Sequence, residues 1–238
     1  MELSKRLYAV AGLVTEGASV ADIGTDHGYI PIYLTEHNIA SKVIAADIRK
    51  GPLERARMHI ISRGLKGRIE TRLSDGLKAV RPGEVDTVIA SGMGGDLVIK
   101  ILEEGSQVVA SLHACILQPQ SEIQKVRRYL VKHGMRIEAE DMVEEDGKFY
   151  PVMRAVHGEP EPYTEVEYLY GKYLLRAHHP VLKKYLYREM QIKESIFHQL
   201  YRHRDSKSAA LRMEEVRREM QMISRAFACY TVNPQGIP

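Results

Sequence analysis

Cysteine is scarce in this chain: its 238 residues hold two, Cys115 and Cys229. Two argue against a disulfide framework and against a zinc site, which normally needs four ligands. No metal site is expected, and Cys115, inside an apolar run, reads as buried filler. A run of about 18 apolar residues is also missing, so no transmembrane helix is expected. The opening Met-Glu-Leu-Ser-Lys-Arg-Leu lacks the basic-then-apolar order of a signal peptide. Both absences favour a cytoplasmic protein with no membrane contact. Neither sign of charge dominates: the net charge is +3, with 44% hydrophobic and 27% charged residues, the balance of an ordinary soluble protein. The length allows one ample core plus an appendage, not two full-sized domains.

What charge there is lies unevenly. Residues 161–238 carry 13 Lys/Arg against 9 Asp/Glu, leaving 21 against 22 for the rest of the chain. His178, His179, His198 and His203 join that basic surplus. The surplus is a modest hint of a polyanionic partner, set against the plainer reading of a solvated helix surface.

Up to about residue 157, short apolar runs alternate with amphipathic segments, the signature of βαβ units around a parallel sheet. The pattern predicts strands at 18–23, 42–46, 69–73, 85–90 and 113–117, and helices at 4–14, 28–38, 52–63, 96–104 and 122–133. Pro52 suits a first helical turn, Gly64 and Gly134 suit helix stops, and Ser121-x-x-Gln124 resembles a capping box. Two extended runs, Met135–Glu144 and Lys148–Val156, flank Glu145-Asp146-Gly147 and predict a β-hairpin. Gly158-Glu-Pro-Glu-Pro162 reads as a linker. This divides the chain into domains at 1–158 and 159–238. Beyond the linker the sequence is helical, interrupted at His178-His179-Pro180 and again near 204–208. Ala209, Met213, Val216, Met220, Ile223 and Phe227 recur at spacings of 4, 3, 4, 3 and 4, a coiled-coil seam. Leu182, Tyr185, Ile192, Ile196 and Leu200 offer a less regular partner, predicting an antiparallel helical hairpin.

The chemistry concentrates at strand ends. Val20-Ala-Asp-Ile-Gly-Thr-Asp-His-Gly28 is an apolar strand entering a glycine turn, and Asp47 ends the next apolar run, 25 residues after Asp22. Such a turn followed by an acid at the next strand tip is how doubly wound sheets hold a nucleoside. The G-x-G-x-x-G of a dinucleotide site is absent. Gly24 and Gly28 remain, with Asp22 and Asp26 beside them, and two carboxylates would repel a diphosphate. They suit a ligand with a cationic ammonium and free hydroxyls, as in S-adenosylmethionine. Asp47 would accept the ribose hydroxyls. Asp75 and Gly76, in a Ser-Asp-Gly turn after the third strand, would face the adenine amino group. In Ala90-Ser-Gly-Met-Gly-Gly95, glycine marks close backbone approach and Met93 could pack on the adenine ring. Gln118-Pro119 ends the fifth strand at the same edge. Each feature alone also fits an ordinary polar turn or helix start.

Taken in order, the motifs at 22–28, 46–48, 51–52, 74–77, 91–95 and 117–119, with Leu-Ser-Lys-Arg-Leu at 3–7 and the helical C-terminal part, resemble one family. The chain is similar throughout to the bacterial tRNA (adenine(22)-N1)-methyltransferases. That resemblance implies a Rossmann-like class I methyltransferase sheet followed by a coiled coil, S-adenosyl-L-methionine as cofactor, and N1 of a tRNA adenine as target. The Asn/Asp-Pro-Pro-aromatic loop of many amino-methyltransferases is missing, which argues against methylation of an exocyclic amine. With the motifs, Ile48, Ser91 and Gly92 join the expected cofactor-binding residues. Asp26 is expected to stabilise charge on the methylated base, with His27 positioning the base or the cofactor carboxylate. Lys5, Arg6, Tyr29, Gln118 and Pro119 near the site, and Lys183, Lys184 and Arg188 on the hairpin, are expected to bind tRNA. A methyltransferase with another substrate, and a non-catalytic RNA-binding module, are the other readings of the residues. A monomer is favoured.

Overall fold

The computed structural model describes residues 2–230, which fall into two compact units, Met1–Pro162 and Tyr163–Pro238. Seven strands of the first unit form one sheet: β1 (Ala18–Ile23), β2 (Ala40–Asp47), β3 (Ile69–Leu73), β4 (Thr87–Met93), β5 (Ala114–Pro119), β6 (Met135–Glu145) and β7 (Lys148–His157). Their spatial order is β3-β2-β1-β4-β5-β7-β6. The first five are parallel, and β7 runs antiparallel to both β5 and β6. Six helices accompany them: α1 (Lys5–Gly12), α2 (Tyr29–Glu36), α3 (Lys50–Ser62), α4 (Gly95–Glu104), α5 (Ser106–Val109) and α6 (Ile123–Lys132). Strands covered on both faces need apolar side chains throughout rather than alternation. That is why Val20, Ala21, Val43, Ile44, Val88, Ile89, Ile116 and Leu117 are all fully buried. This is the doubly wound α/β sheet with an antiparallel last strand that the sequence leads one to expect.

Local chemistry sets the boundaries. Gly64 and Gly134 follow α3 and α6 with φ +70 each, the left-handed stop that glycine adopts without strain. Asp146 (φ 50) and Gly147 (φ 70) form the two-residue turn between β6 and β7, as a type I′ hairpin requires. The expected capping box at Ser121 is not formed. Glu122, in a left-handed conformation, precedes α6 and no side chain caps it, while the Ser121 carbonyl accepts from Gly95 N at 3.1 Å. The capping box falls instead at Thr164 and Glu167.

The second unit is helical: α7 (Glu165–Tyr170), α8 (Lys172–Arg176), α9 (Pro180–Tyr201) and α10 (Lys207–Ala228). Lys193 meets Glu219 at 2.5 Å and Arg217 lies over the Phe197 ring at 5.5 Å, so α9 and α10 run antiparallel. The seam of α10 follows the expected stripe, with Val216 and Ile223 buried. That of α9 does not: Ile192 is 41% exposed, whereas Leu186 is fully buried. The true stripe is Leu182, Leu186, Glu189, Lys193, Ile196 and Leu200, spaced 4, 3, 4, 3 and 4. Two polar members, Glu189 and Lys193, disguise it; Lys193 pairs with Glu219, the kind of polar layer that fixes helix register. Among the described residues no helix is long and apolar enough to cross a membrane.

One ion pair ties α6 to the last hairpin. Arg127 Nε donates to Glu140 Oε1 at 2.8 Å, with both side chains essentially inaccessible at 1% and 0% exposure. Removing one partner strands a buried charge, at a cost of about 3–5 kcal/mol, whereas replacing both by apolar groups is far cheaper. Arg127→Leu is therefore expected to lower the urea midpoint markedly, and Arg127→Leu with Glu140→Leu to restore much of it.

Candidate active site

The strand order reverses between β1 and β4, and there the chains leave the sheet toward opposite faces, opening a crevice beyond their carboxyl ends. Two adjoining cavities fill that crevice, of about 530 and about 320 Å³. Gly24, Arg49, Ser91 and Gly92 line both. The larger is polar, walled by Arg6, Asp22, Asp26, Tyr29, Gln120, Glu145 and Tyr150. The smaller is mainly apolar, formed by Ile48, Met93, Leu97 and Ile101 with Asp47, Asp75 and Gly76 at its side.

Glycine shapes the floor. Gly24 (φ +77) ends β1, its N–H donating to the Ala46 carbonyl at 2.8 Å, and a Cβ there would lie 3.0 Å from Met93 Cε. Gly92 (φ +79) sits at a register shift between β4 and β5, which turns its backbone toward the crevice. Gly28 serves another purpose than the ligand contact expected of it. It lines neither cavity, and a Cβ would press on Ala56 of α3 at 3.2 Å, so it permits α2 and α3 to pack closely.

Asp22, at the end of β1, is 3% exposed. Burial pushes its carboxyl up from 3.8 to about 7; the adjacent Thr25 side chain offsets part of the rise and Asp47 adds to it. Asp47, also 3% exposed, is held in place by two backbone donors, Arg49 N at 2.8 Å and Asp26 N at 3.3 Å. Asp26 adopts φ 49 and turns its half-exposed carboxylate toward Arg55 at 3.4 Å and His27 at 3.7 Å. Asp75 lines the apolar cavity but is ion-paired with Lys78, which lowers its pKa.

Several expected contacts are indirect. The His27 ring lies outside both cavities, stacked on Tyr29 at 5.3 Å and on His59 at 5.8 Å. Tyr29 does line the polar cavity and is 38% exposed. Gln118 is fully buried, so it cannot touch tRNA as expected. Its Oε1 accepts from Arg6 at 3.0 Å and from Gly92 N at 3.1 Å, and its Nε2 donates to the Pro119 carbonyl. It therefore positions Arg6, which also stands over the Tyr150 ring at 5.7 Å. Pro119 and Lys5 are absent from the cavity walls; the Lys5 N–H is used by Glu145 Oε1 at 2.7 Å. Lys183, Lys184 and Arg188 are exposed on α9 in the second unit. The sequence reading missed Ser4, Arg49, Gln120, Glu145 and Tyr150 as wall residues.

A seven-stranded sheet with this strand order, a glycine floor at the switch point and acids at the ends of β1 and β2 defines a Rossmann-like methyltransferase. Residues 3–153 match a family described as a methyltransferase domain. A Bacillus subtilis tRNA (adenine(22)-N(1))-methyltransferase is 33% identical over 95% of this chain and 98% of its own length. Among solved structures, Streptococcus pneumoniae Sp1610 in complex with S-adenosyl-L-methionine superposes with a TM-score of 0.85 at 31% identity, covering 94% of this chain and 99% of that one. M. capricolum TrmK in complex with S-adenosyl-homocysteine gives 0.83 at 27%, covering 96% and 99%. The chain belongs to the tRNA (adenine(22)-N1)-methyltransferase family.

The raised pKa of Asp22 has a consequence for stability. Folded Asp22 binds its proton more tightly than the unfolded chain does, so stability is lost as pH rises from about 4 to about 7. Asp22→Asn removes that cost. The ligand-free variant is expected to be more stable than wild type at pH 8, by up to about 4 kcal/mol, with the advantage gone near pH 4. Urea unfolding across that range measures it.

Proposed function

We propose that this chain transfers a methyl group from S-adenosyl-L-methionine to N1 of adenine 22 in tRNA. The observation that carries this reading is the buried, proton-hungry Asp22 beside the glycine floor, within a fold shared over nearly the whole chain with the named relatives. A carboxylate so costly to bury is explained by a cationic ligand group. The residues present fit S-adenosyl-L-methionine: Asp22 for the ammonium, the backbone of Gly24 and Gly92 for the methionine chain, Asp47 for the ribose hydroxyls. Ile48, Met93, Leu97 and Ile101 offer an apolar slot for the adenine ring. When bound, this cofactor supplies an electrophilic methyl group on a sulfonium, which leaves with its C–S bond breaking as the N1 lone pair bonds to carbon.

Adenine N1 carries an in-plane lone pair, so the chain needs no general base. Its task is alignment, which can supply roughly 7–11 kcal/mol of the barrier. N1 is hidden in a Watson–Crick pair, so the target must be unpaired or extruded. Arg6, fixed by Gln118, and Tyr29 stand on the wall that would receive it. Positive charge grows on the base during transfer, and the carboxylate of Asp26 on the same wall stabilises it electrostatically. His27 supports this arrangement by stacking on Tyr29 and lying beside Asp26. We assign tRNA phosphate contact to the second domain through Lys183, Lys184 and Arg188, and place the protein in the cytoplasm as a monomer.

Incubation of unmodified tRNA with labelled cofactor, followed by nucleoside mapping, is expected to place 1-methyladenine at position 22; label elsewhere or none removes the assignment. Asp26→Asn is expected to keep cofactor affinity and lower kcat about 10- to 100-fold. Full activity of that variant would exclude its charge-stabilising role. Replacing Lys183, Lys184 and Arg188 together by Gln is expected to weaken tRNA binding and flatten its dependence on salt. Titrations at two salt concentrations with an unchanged slope would contradict phosphate contact by these three.

A further inference from the structure

The polar cavity has one wall that the proposed mechanism does not use: the turn end of the β6–β7 hairpin. β7 runs antiparallel to β5, pairing Leu117 with Met153, so the turn at Asp146-Gly147 rises at the same sheet edge as the crevice. Glu145 pairs with Lys148 across the hairpin, and Tyr150 lies two residues beyond Lys148. Side chains alternate along a strand, so Glu145 and Tyr150 share one face, and both line the cavity with Asp22 and Gly24. Glu145 is pinned there: its Oε1 accepts the Lys5 N–H at the start of α1 at 2.7 Å. Its Oε2 has no partner among the described residues.

We infer that Glu145 determines specificity for adenine, accepting a hydrogen bond from the exocyclic N6 amino group of the base whose N1 is methylated. This deepens the reading given above and rests on it. The N6 amino group adjoins N1 on the same edge of the ring, so a wall that faces the transfer point can read it with an acceptor. Among the carboxylates of this cavity, Asp22 is buried at the cofactor end and Asp26 is engaged by Arg55 and His27. Glu145 keeps one oxygen without a partner among the described residues, on a side chain whose other oxygen is fixed by the Lys5 N–H. A carboxylate there accepts from adenine and repels the O6 oxygen of guanine, whose N1 also carries a proton and has no free lone pair. Tyr150, on the same face and beneath the Arg6 guanidinium, forms the adjoining flat wall.

The test is a cycle of two enzymes and two substrates. Wild type and Glu145→Gln are assayed on tRNA carrying adenine at position 22 and on the same tRNA carrying purine, which lacks the N6 amino group. Gln keeps an oxygen for the Lys5 N–H, leaving its NH₂ to face the base. On adenine, kcat/KM is expected to fall about 10- to 100-fold, the value of one hydrogen bond to a charged group, with cofactor affinity unchanged. On purine the substitution is expected to cost less than threefold. Comparing the enzymes on each base cancels the different basicity of N1 in the two. An equal loss on both bases would show that Glu145 only secures α1, and the assignment falls. It falls as well if Asp26→Asn or Gln120→Ala, run in the same cycle, carries the selective loss instead. Should wild type leave the adenine substrate unmethylated, the activity itself is wrong and this inference goes with it.

Discussion

The structure depends on the divergence of the chain at the carboxyl ends of β1 and β4. Parallel strands need crossovers, crossovers here cover both faces, and the crevice opens where the direction of winding changes. The sheet interior must then be apolar throughout, and polar groups are confined to strand ends and the turns that follow. Asp22, Asp47, Ser91 and Gln118 are all strand-end residues for that reason. The site is less an addition to the fold than the place where its burial rule lapses.

Burial divides these polar groups into two kinds. Gln118 is fully enclosed but uses its amide on Arg6, Gly92 and Pro119, so it is satisfied within the protein. Asp47 is similarly engaged by two backbone donors. Asp22 has no comparable support, and its pKa of about 7 records the desolvation. A group left in that state by its own protein is one whose partner comes from outside, because a cation then recovers much of the desolvation cost. Ligand binding and folding stability are thereby linked through one carboxyl.

The sheet and its cofactor edge were legible because their signals are local. Apolar runs ending in glycine and acid delimit β1 and β3 to the residue, and Asp22, Gly24, Asp47 and Met93 all reach the cavities. What was illegible is tertiary. His27 reads from the sequence as a lone residue beside Asp26, and its neighbour His59, 32 residues later, is not visible in the local pattern. Gln118 looks like a substrate contact until its burial is known. The α9 stripe was misplaced by one position because Tyr185 and Ile192 are apolar and the true members Glu189 and Lys193 are not; for Lys193 the explanation is Glu219 on α10.

The hairpin shows why such residues escape a reading strand by strand. As secondary structure, β6 and β7 cover the edge of β5 and end the sheet, and an Asp-Gly turn accounts for their connection. Nothing in their alternation distinguishes Glu145 and Tyr150 from solvent-facing neighbours. Their role follows from direction: because β7 is antiparallel, the hairpin carries its turn back to the edge where the parallel strands finish. A parallel seventh strand would bring its end to that edge but not a two-strand wall beside α1. The reversed strand thus both closes the sheet and supplies the second side of a cleft whose first side is the glycine floor.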